Sequence, residues 1–198
     1  MNHFRELSDE QLTELSADSD QAFYVLLKRY EKKILAYISR STSVSPEHAE
    51  DILQETFLKV YKNMNGFDSS LKFSSWIYRI AHNEIVNFYR KNKKETLTVS
   101  MEANLYATEM PAYINDVIDI RDVILTDEKN IQIKESLLTL SPKYRDIIVL
   151  RYLEEKDYTE ISDILKIPLG TVATRINRAK NKLKKIIIKN HKWLINNE

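Results

Sequence analysis

The sequence contains no cysteine and only two glycines, Gly66 and Gly170. Without cysteine there can be no disulfide framework, no thiol nucleophile and no zinc site built on thiolates. Phosphate-binding and dinucleotide-binding loops need several glycines close together, so two isolated glycines exclude a P-loop, a Rossmann fingerprint and a kinase glycine-rich loop. Most classes of nucleotide-dependent enzyme are thereby excluded, and no cofactor is expected.

Long apolar runs are also lacking. No stretch of the 198 residues is long and apolar enough to span a bilayer. Residues 1–20 are too acidic and too polar to form a signal peptide. We therefore expect a soluble, cytoplasmic protein with no membrane insertion. Few glycines and prolines, together with abundant leucine, isoleucine, lysine and glutamate, favour helices joined by short turns.

The near-zero net charge conceals blocks of opposite sign. Residues 1–20 hold six acidic residues and one basic residue, and residues 100–130 hold seven and two, so each block has a net charge of −5. Residues 72–94 hold six basic residues and one acidic residue, a net charge of +5, and residues 170–192 hold eight basic and no acidic residues, +8. This asymmetry favours a nucleic-acid partner. For the last block, a lysine-rich helix end that complements the helix dipole is the simpler alternative.

Helical periodicity predicts an all-α fold with two small helical domains joined by a flexible linker. The expected domain boundaries are residues 1–95, a linker at 96–126 and residues 127–198. The predicted helices, two of them with Ser45 and Ser141 as N-caps, cover residues 22–38, 46–63, 73–93, 127–139, 142–153, 158–165 and 169–189.

Residues 158–176 have the pattern of a helix-turn-helix, whose small hydrophobic core would be Ile161, Leu165, Ile167, Val172 and Ile176. The outward side chains of the second helix are then Thr171, Thr174, Arg175 and Arg178. Threonine and arginine near a helix N-terminus can reach phosphates and base edges in a major groove. A structural helical hairpin with a basic face is the alternative, but the absence of acidic residues from the second helix favours DNA binding.

The turn of this motif contains two notable residues. If Lys166 has a left-handed conformation, it costs roughly 1 kcal/mol relative to glycine. Pro168 suits the start of a helix because its φ is fixed and it has no amide hydrogen that needs a partner. Neither residue should abolish the motif.

The helix over residues 46–63 has a mixed outer face. Its predicted core stripe is Ala49, Leu53, Phe57, Val60 and Met64, and the opposite face carries Asp51, Gln54, Glu55, Leu58 and Lys62. An exposed leucine by itself means little. Surrounded by carboxylates and an amide, Leu58 is typical of the apolar centre of a polar-rimmed protein contact.

The helix over residues 73–93 has aromatic and cationic side chains opposite its core stripe, including Tyr78, Arg79, His82, Tyr89 and Arg90. Aromatic rings stack on unpaired bases while cations hold phosphates, so this face favours binding of an unpaired nucleic-acid strand. A packed interface between domains would explain the same stripe. We favour strand binding because the basic residues 90–94 continue the cationic track. Glu84 falls on the expected apolar face of this helix.

The chain resembles bacterial RNA polymerase sigma factors of the small, two-domain extracytoplasmic-function (ECF) type in the sigma-70 family. The resemblance extends over about residues 20–189. One block that carries it comprises AEDILQETFLKVY at residues 49–61 and FSSWIYRIAHN at residues 73–83, and the other is residues 137–185. The first block is highly specific, whereas the second taken alone is shared with other helix-turn-helix regulators.

The resemblance implies a role for each surface. The β′ clamp helices of the polymerase would bind Asp51, Gln54, Glu55 and Leu58. The loop at residues 66–72 would help to melt the minus-ten element, and its non-template strand, including a flipped base, would be held by Tyr78, Arg79, His82, Asn83, Tyr89 and Arg90. The minus-thirty-five duplex would be recognised by Thr171, Thr174, Arg175 and Arg178.

The resemblance also implies a set of partners. These are core RNA polymerase, through its β′ clamp helices and β flap, and promoter DNA in both single- and double-stranded form. The linker would thread toward the RNA exit channel. Sigma factors of this type are often held inactive by an anti-sigma factor, so the resemblance adds such a protein to the candidate partners.

Two other classes of function stay open at this stage. A helix-turn-helix regulator that never engages polymerase would explain residues 127–198, but it leaves the face of residues 73–93 unused. An enzyme is the weaker alternative, because the four histidines His3, His48, His82 and His191 lack metal-ligand spacing and no catalytic constellation stands out. We therefore expect no catalytic residues and no metal site.

Overall fold

The computed structural model describes residues 3–16, 18–68, 71–93 and 129–190, and every regular element in these ranges is helical. The predicted all-α architecture is confirmed. The predicted linker at residues 96–126 lies outside the described residues, as do residues 69 and 70 of the loop before the fourth helix.

Eight α-helices are described within these ranges. They are α1 (Asp9–Leu15), α2 (Asp20–Ser41), α3 (Pro46–Asn63), α4 (Phe73–Lys93), α5 (Lys129–Leu138), α6 (Pro142–Ile148), α7 (Tyr158–Leu165) and α8 (Leu169–Asn190). Short 3-10 turns cover His3–Arg5 and Met64–Gly66, and a π-helical turn covers Val149–Leu153.

The helix starts follow from their caps. The hydroxyl of Ser45 accepts a hydrogen bond from the His48 amide at 3.4 Å, and Pro46 occupies the first helical position of α3. Helix α1 was not predicted, although Ser8 and Gln11 form a capping box at its start. Ser141 occupies the predicted N-cap position of α6, but its side chain makes no capping hydrogen bond; its carbonyl oxygen accepts the first helical bond, from the Arg145 amide at 3.0 Å.

The predicted helix over residues 142–153 changes character before its end. From Val149 it widens into the π-helical turn, in which the Glu154 amide donates to the Val149 carbonyl at 3.0 Å. Glu154 follows this turn directly and contacts helices α2 and α4, as described below.

The core stripe predicted for α3 is confirmed. Ala49, Leu53, Val60 and Met64 are buried and Phe57 is half-buried, while Ile52 is buried beside them. They pack against α2 and α4, whose largest fully buried side chains include Phe73 and Tyr37.

The helix-turn-helix is also present. Ile161, Val172 and Ile176 are buried, and Leu165 and Ile167 are half-buried. Ile164, which was not predicted to belong to this core, is buried as well. The side chains therefore close the two helices on each other as a helix-turn-helix requires.

The turn between α7 and α8 has the expected left-handed residue. Lys166 has φ 52° and ψ 48°. The hydroxyl of Ser162 donates to the Ile167 carbonyl at 2.6 Å and so spans the turn. Pro168 precedes α8, and its carbonyl oxygen accepts from the amides of Thr171 at 2.8 Å and Val172 at 3.1 Å.

Helices α1–α4 and α5–α8 pack against each other, because their buried apolar residues form one continuous cluster. Arg145 reinforces the junction from a buried position. Its guanidinium donates to the carbonyl oxygens of Leu137 at 3.1 Å, Leu138 at 2.7 Å and Leu140 at 3.0 Å, and also to that of Ser41 at 3.1 Å. The bond to Ser41 joins α6 to the end of α2.

Candidate functional site

The outer face of α3 is open to solvent. Asp51, Gln54 and Glu55 are exposed, and Leu58 is 49% exposed in their midst. None of the three polar side chains makes a hydrogen bond or ion pair to another side chain within the described part of the chain. The face is an apolar side chain surrounded by free acceptors, which is the composition of a protein-binding surface.

An open cleft of about 760 Å³ lies between α3 and α4. Its walls are Lys59, Lys62, Asn63, Gly66, Trp76, Ile80, Asn83, Glu84, Val86 and Asn87. One wall is apolar and contains the indole of Trp76. The polar groups include the side-chain amides of Asn83 and Asn87 on α4 and the ammonium groups of Lys59 and Lys62 on α3. Such a lining can hold a planar base and the phosphate next to it.

Glu84 lies on the apolar side of α4, as its sequence position predicts, and its carboxylate is buried. It accepts hydrogen bonds from Lys59 Nζ at 2.5 Å and from Asn87 Nδ2 at 2.9 Å. A buried carboxylate needs such partners because its desolvation is costly. The pair with Lys59 therefore ties α4 to α3 at the wall of the cleft.

The predicted strand-binding residues divide into two groups. Asn83, Tyr89 and Arg90 are exposed on α4, with Asn83 in the wall of the cleft. The Arg90 guanidinium donates to Asn87 Oδ1 at 3.1 Å, and the Tyr89 hydroxyl accepts from the Ser43 amide at 3.4 Å. Tyr78, Arg79 and His82 instead lie against helices α6–α7 and the segment between them.

Tyr78 is only 2% exposed. Its hydroxyl donates to Glu154 Oε2 at 2.5 Å, and Lys156 Nζ lies 4.6 Å from the centre of its ring. Burial and the neighbouring carboxylate raise the pKa of Tyr78, so its phenol stays protonated as a donor. The other oxygen of Glu154 accepts from Arg40 Nη1 at 2.9 Å.

Arg79 forms an ion pair with the second half of the chain. Its Nη1 atom lies 3.1 Å from Asp163 Oδ1 on α7. The same carboxylate oxygen lies 2.6 Å from Lys166 Nζ. Asp163 thus holds a cation from each half of the chain.

His82 meets Asp146 of α6, with 3.5 Å between Nδ1 and Oδ2. Burial lowers the pKa of His82 to about 4, so the imidazole is neutral at pH 7. Burial also raises the pKa of Asp146 to about 7, although the charges of Arg145 and Arg175 oppose this. The contact is therefore not a fully charged ion pair at neutral pH, despite its short distance.

Several residues at this junction were not singled out from the sequence. Glu160 Oε1 accepts from Ser74 Oγ at 3.4 Å and from Ser75 Oγ at 3.5 Å, and it lies 3.8 Å from Lys72 Nζ. Lys72 lies 3.7 Å from Asp157 as well. The sequence signal available was the capping box of α7, in which the carboxylates of Asp157 and Glu160 each accept from the other residue's backbone amide.

The four residues predicted to contact duplex DNA lie along the first half of α8. Thr174 is exposed, while Thr171, Arg175 and Arg178 are half-buried. The Thr174 hydroxyl donates to the Gly170 carbonyl at 2.9 Å. The stretch from Gly170 to Lys189 contains no acidic residue, so this helix presents a uniformly positive surface.

Two absences hold for the described ranges. Within residues 3–16, 18–68, 71–93 and 129–190, no cluster of three or more His, Asp or Glu side chains is placed to hold a metal ion. Among the helices that the structure describes, none is both long and apolar enough to cross a membrane.

Comparison with known families gives two matches along the chain. The model of Sigma-70 region 2 matches residues 26–95, and that of Sigma-70, region 4 matches residues 130–183.

Curated relatives match across both of these segments. The ECF RNA polymerase sigma factor SigW of Bacillus subtilis (strain 168) is 35% identical over 180 residues, which cover 89% of this chain and 94% of that protein. The ECF RNA polymerase sigma-E factor of Haemophilus influenzae is 30% identical over 180 residues, covering 88% of this chain and 93% of that protein.

Solved structures show the same fold. CnrH, in complex with the cytosolic domain of CnrY, superposes with a TM-score of 0.66 at 22% identity, covering 92% of this chain and 98% of that one. The sigma factor RpoE of Bartonella quintana, in complex with the anti-sigma factor NepR, gives a TM-score of 0.61 at 23% identity, with 83% and 96% covered.

Proposed function

Since the chain belongs to the ECF sigma factors of the sigma-70 family, we propose that three separate surfaces divide the work of promoter-specific initiation. A sigma factor binds core RNA polymerase and directs it to promoters, and the family assigns this function to the chain. The proposal concerns which residues perform each part. We propose residues 1–95 as the first domain, 96–126 as the linker and 127–198 as the second domain.

The outer face of α3 binds the polymerase, through Asp51, Gln54, Glu55 and Leu58. The carrying observation is the half-exposed Leu58 among unpaired polar side chains, on a helix whose opposite side is buried. Burying an exposed leucine against a partner gains free energy, while the surrounding polar groups define orientation and exclude water.

The face of α4 and the cleft beside it bind the non-template strand of the minus-ten element. Asn83 and Asn87 can hydrogen-bond a base edge at the mouth of the cleft, with Trp76 in its wall. Tyr89 and Arg90 extend this exposed surface along α4, where rings and cations suit an unpaired strand. Tyr78, Arg79 and His82 belong to the same proposed surface, but in the folded chain they pack against its second half. Helix α8 recognises the minus-thirty-five duplex through Thr171, Thr174, Arg175 and Arg178.

Further partners and location follow from the family. Sigma factors are generally not enzymes, and we propose that this chain acts by binding alone, in the cytoplasm. We also propose an anti-sigma factor as a regulatory partner, because the fold neighbour RpoE was solved with one.

Substitution of Leu58 tests the α3 assignment. Leu58→Glu should weaken binding to core polymerase about thirtyfold, the loss expected at the centre of a protein interface. The affinity is measured by fluorescence titration of core polymerase with labelled chain. Leu15→Glu is the matched control, since Leu15 is 43% exposed on α1 and lies outside the proposed surface.

Both variants should keep the wild-type circular dichroism spectrum, because both side chains are exposed. Unchanged affinity for Leu58→Glu, or an equal loss for Leu15→Glu, would show that the polymerase binds elsewhere. In reconstituted transcription, the Leu58→Glu variant should lose promoter-specific initiation at limiting concentration and regain it at high concentration.

A further inference from the structure

A buried carboxylate lies in the wall of the cleft between α3 and α4. We propose that this group, Glu84, makes the cleft select a base that carries an exocyclic amino group and reject thymine. The inference rests on the strand-binding role proposed for α4, and it adds to that role the class of base that the cleft accepts.

One oxygen of Glu84 is left over for a ligand. The residue is 7% exposed and lines the cleft together with Trp76 and Ile80. Both of its hydrogen bonds end on Oε1, which accepts from Lys59 Nζ at 2.5 Å and from Asn87 Nδ2 at 2.9 Å. Within the described part of the chain, Oε2 accepts no hydrogen bond, and it keeps contact with solvent. The cleft therefore has an unused acceptor in its wall.

The ion pair with Lys59 does not by itself account for a carboxylate at this position. Apolar side chains of similar volume often stabilise a helix contact as well as a buried ion pair does, because desolvation offsets the attraction. The side chain of Lys59 is 43% exposed and that of Glu84 is 8% exposed, so the carboxylate carries most of the desolvation cost. A ligand that uses the second oxygen gives this cost a function.

The two amides of the cleft discriminate less between bases than the carboxylate does. Asn83 is exposed, and its side chain makes no hydrogen bond within the described residues, so its amide can turn either a donor or an acceptor toward a base. Asn87 has a fixed orientation, because it donates to Glu84 and accepts from Arg90 at 3.1 Å. A carboxylate offers acceptors only. Glu84 is thus the group that a base without a suitable donor cannot satisfy.

The four bases differ in what they offer to a single acceptor. Adenine, cytosine and guanine each carry an exocyclic amino group that can donate to Oε2 of Glu84. Thymine carries carbonyl oxygens on both sides of its one ring N–H group, so a carboxylate that approaches it meets two other acceptors. Lys62 on the same wall is exposed and has no partner within the described residues, so it can hold the adjacent phosphate.

Cytosine and uracil are the matched probes, because they differ only in the groups that Glu84 would contact and both lack the methyl group of thymine. The chain contains two tryptophans, so Trp193→Phe leaves Trp76, in the wall of the cleft, as the one fluorescent reporter. Short oligonucleotides of deoxycytidine alone or of deoxyuridine alone are titrated into this full-length chain. Half-maximal quenching should require about tenfold less of the cytosine oligonucleotide.

Substitution of Glu84 tests its own part in this preference. Glu84→Gln keeps the shape of the side chain but adds a donor that can bind the uracil carbonyl. The preference for cytosine should therefore fall to within about twofold. Glu50→Gln makes the same change of charge at an exposed position of α3 outside the cleft, and it should keep the full preference. Both variants should keep the wild-type circular dichroism spectrum.

The outcomes separate this inference from the strand-binding proposal on which it rests. Equal quenching by the two oligonucleotides would overturn the selection of bases and leave strand binding in place, and this measurement needs no change at Glu84. Quenching by neither oligonucleotide would overturn the strand-binding role of the cleft as well. A full preference for cytosine in Glu84→Gln would show that another group selects the base, which would overturn the role of Glu84.

Discussion

The outer faces of α3 and α4 share one sequence pattern but differ in their surroundings. Both were predicted to point away from the hydrophobic core of the first domain. The α3 face around Leu58 is exposed, whereas Tyr78, Arg79 and His82 of α4 lie against the second domain. The stripe pattern did not show that Tyr78 also packs on Tyr37 of α2, with 5.2 Å between the ring centres, nor what covers the rest of the face.

Charge sign accounts for the difference. The α3 face carries Asp51 and Glu55, of the same sign as the acidic edge of the second half of the chain, which comprises Glu154, Asp157, Glu160 and Asp163. Like charges repel each other. Arg79 on α4, with Lys72 just before it, has the opposite sign and attracts that edge. Electrostatic complementarity thus selects which of the two faces is covered.

The largest effect is expected from replacing Arg145, because its guanidinium joins the second half of the chain to the first. Arg145→Met removes the guanidinium that donates to four backbone carbonyls, including that of Ser41 in the first domain. We expect the free energy of unfolding to fall by about 3 kcal/mol, as for other buried charged hydrogen-bond donors. Urea denaturation followed by circular dichroism measures the loss.

A matched control separates this effect from loss of charge alone. Lys134→Met removes a cation from an exposed position of α5 and should change the free energy of unfolding by less than about 0.5 kcal/mol. Equal stability of the two variants would mean that Arg145 does not secure the junction.

The pH dependence of stability should reveal two opposing groups on the covered face. Burial raises the pKa of Asp146 to about 7, so its contribution favours the folded chain at low pH and is lost as the pH rises through about 7. Burial lowers the pKa of His82 to about 4, so its contribution favours the folded chain above pH 6.5 and is lost as the pH falls toward 4. Between these limits the two contributions largely cancel.

His82→Gln should therefore uncover the dependence on Asp146. The free energy of unfolding of this variant, measured by urea denaturation, should increase as the pH falls from about 7 to about 5, whereas that of the wild type should change little. His48→Gln, at an exposed histidine of α3, should behave like the wild type. A flat profile for His82→Gln would show that Asp146 does not change its ionisation on unfolding.

The smallest effect is expected from replacing Lys166, which pairs with the same carboxylate, Asp163, as Arg79 of the covered α4 face. Lys166→Gly removes the strain of a left-handed backbone conformation and should raise the free energy of unfolding by about 1 kcal/mol. It also removes a cation that competes with Arg79 for Asp163. Lys166→Ala removes the same cation but keeps the Cβ atom, so it should lack the gain in stability that comes from relieving the strain. Urea denaturation of both variants measures this difference; equal stability would rule out strain at this turn.

Local features were largely predictable, because neighbours within one or two helical turns decide them. Ser45 with Pro46 marks the start of α3, and the spacing of Ile161, Val172 and Ile176 predicts their burial in the helix-turn-helix. Helix α1 was missed because only a capping box indicated it. The π-helical turn before Glu154 has no such signal, since the hydrophobic spacing of the segment fits an ordinary helix.

The sequence by itself determined the helical class, the two units and the family, because periodicity, caps and the blocks at residues 49–61 and 73–83 are all local in the chain. It left two interpretations of the Tyr78 and Arg79 stripe, strand binding and a domain interface. Only the tertiary structure places Glu154 and Asp163 against that stripe, since contacts between residues about 80 positions apart depend on how complete helices pack. Those contacts show the interface within the chain, and strand binding by the same residues stays a prediction.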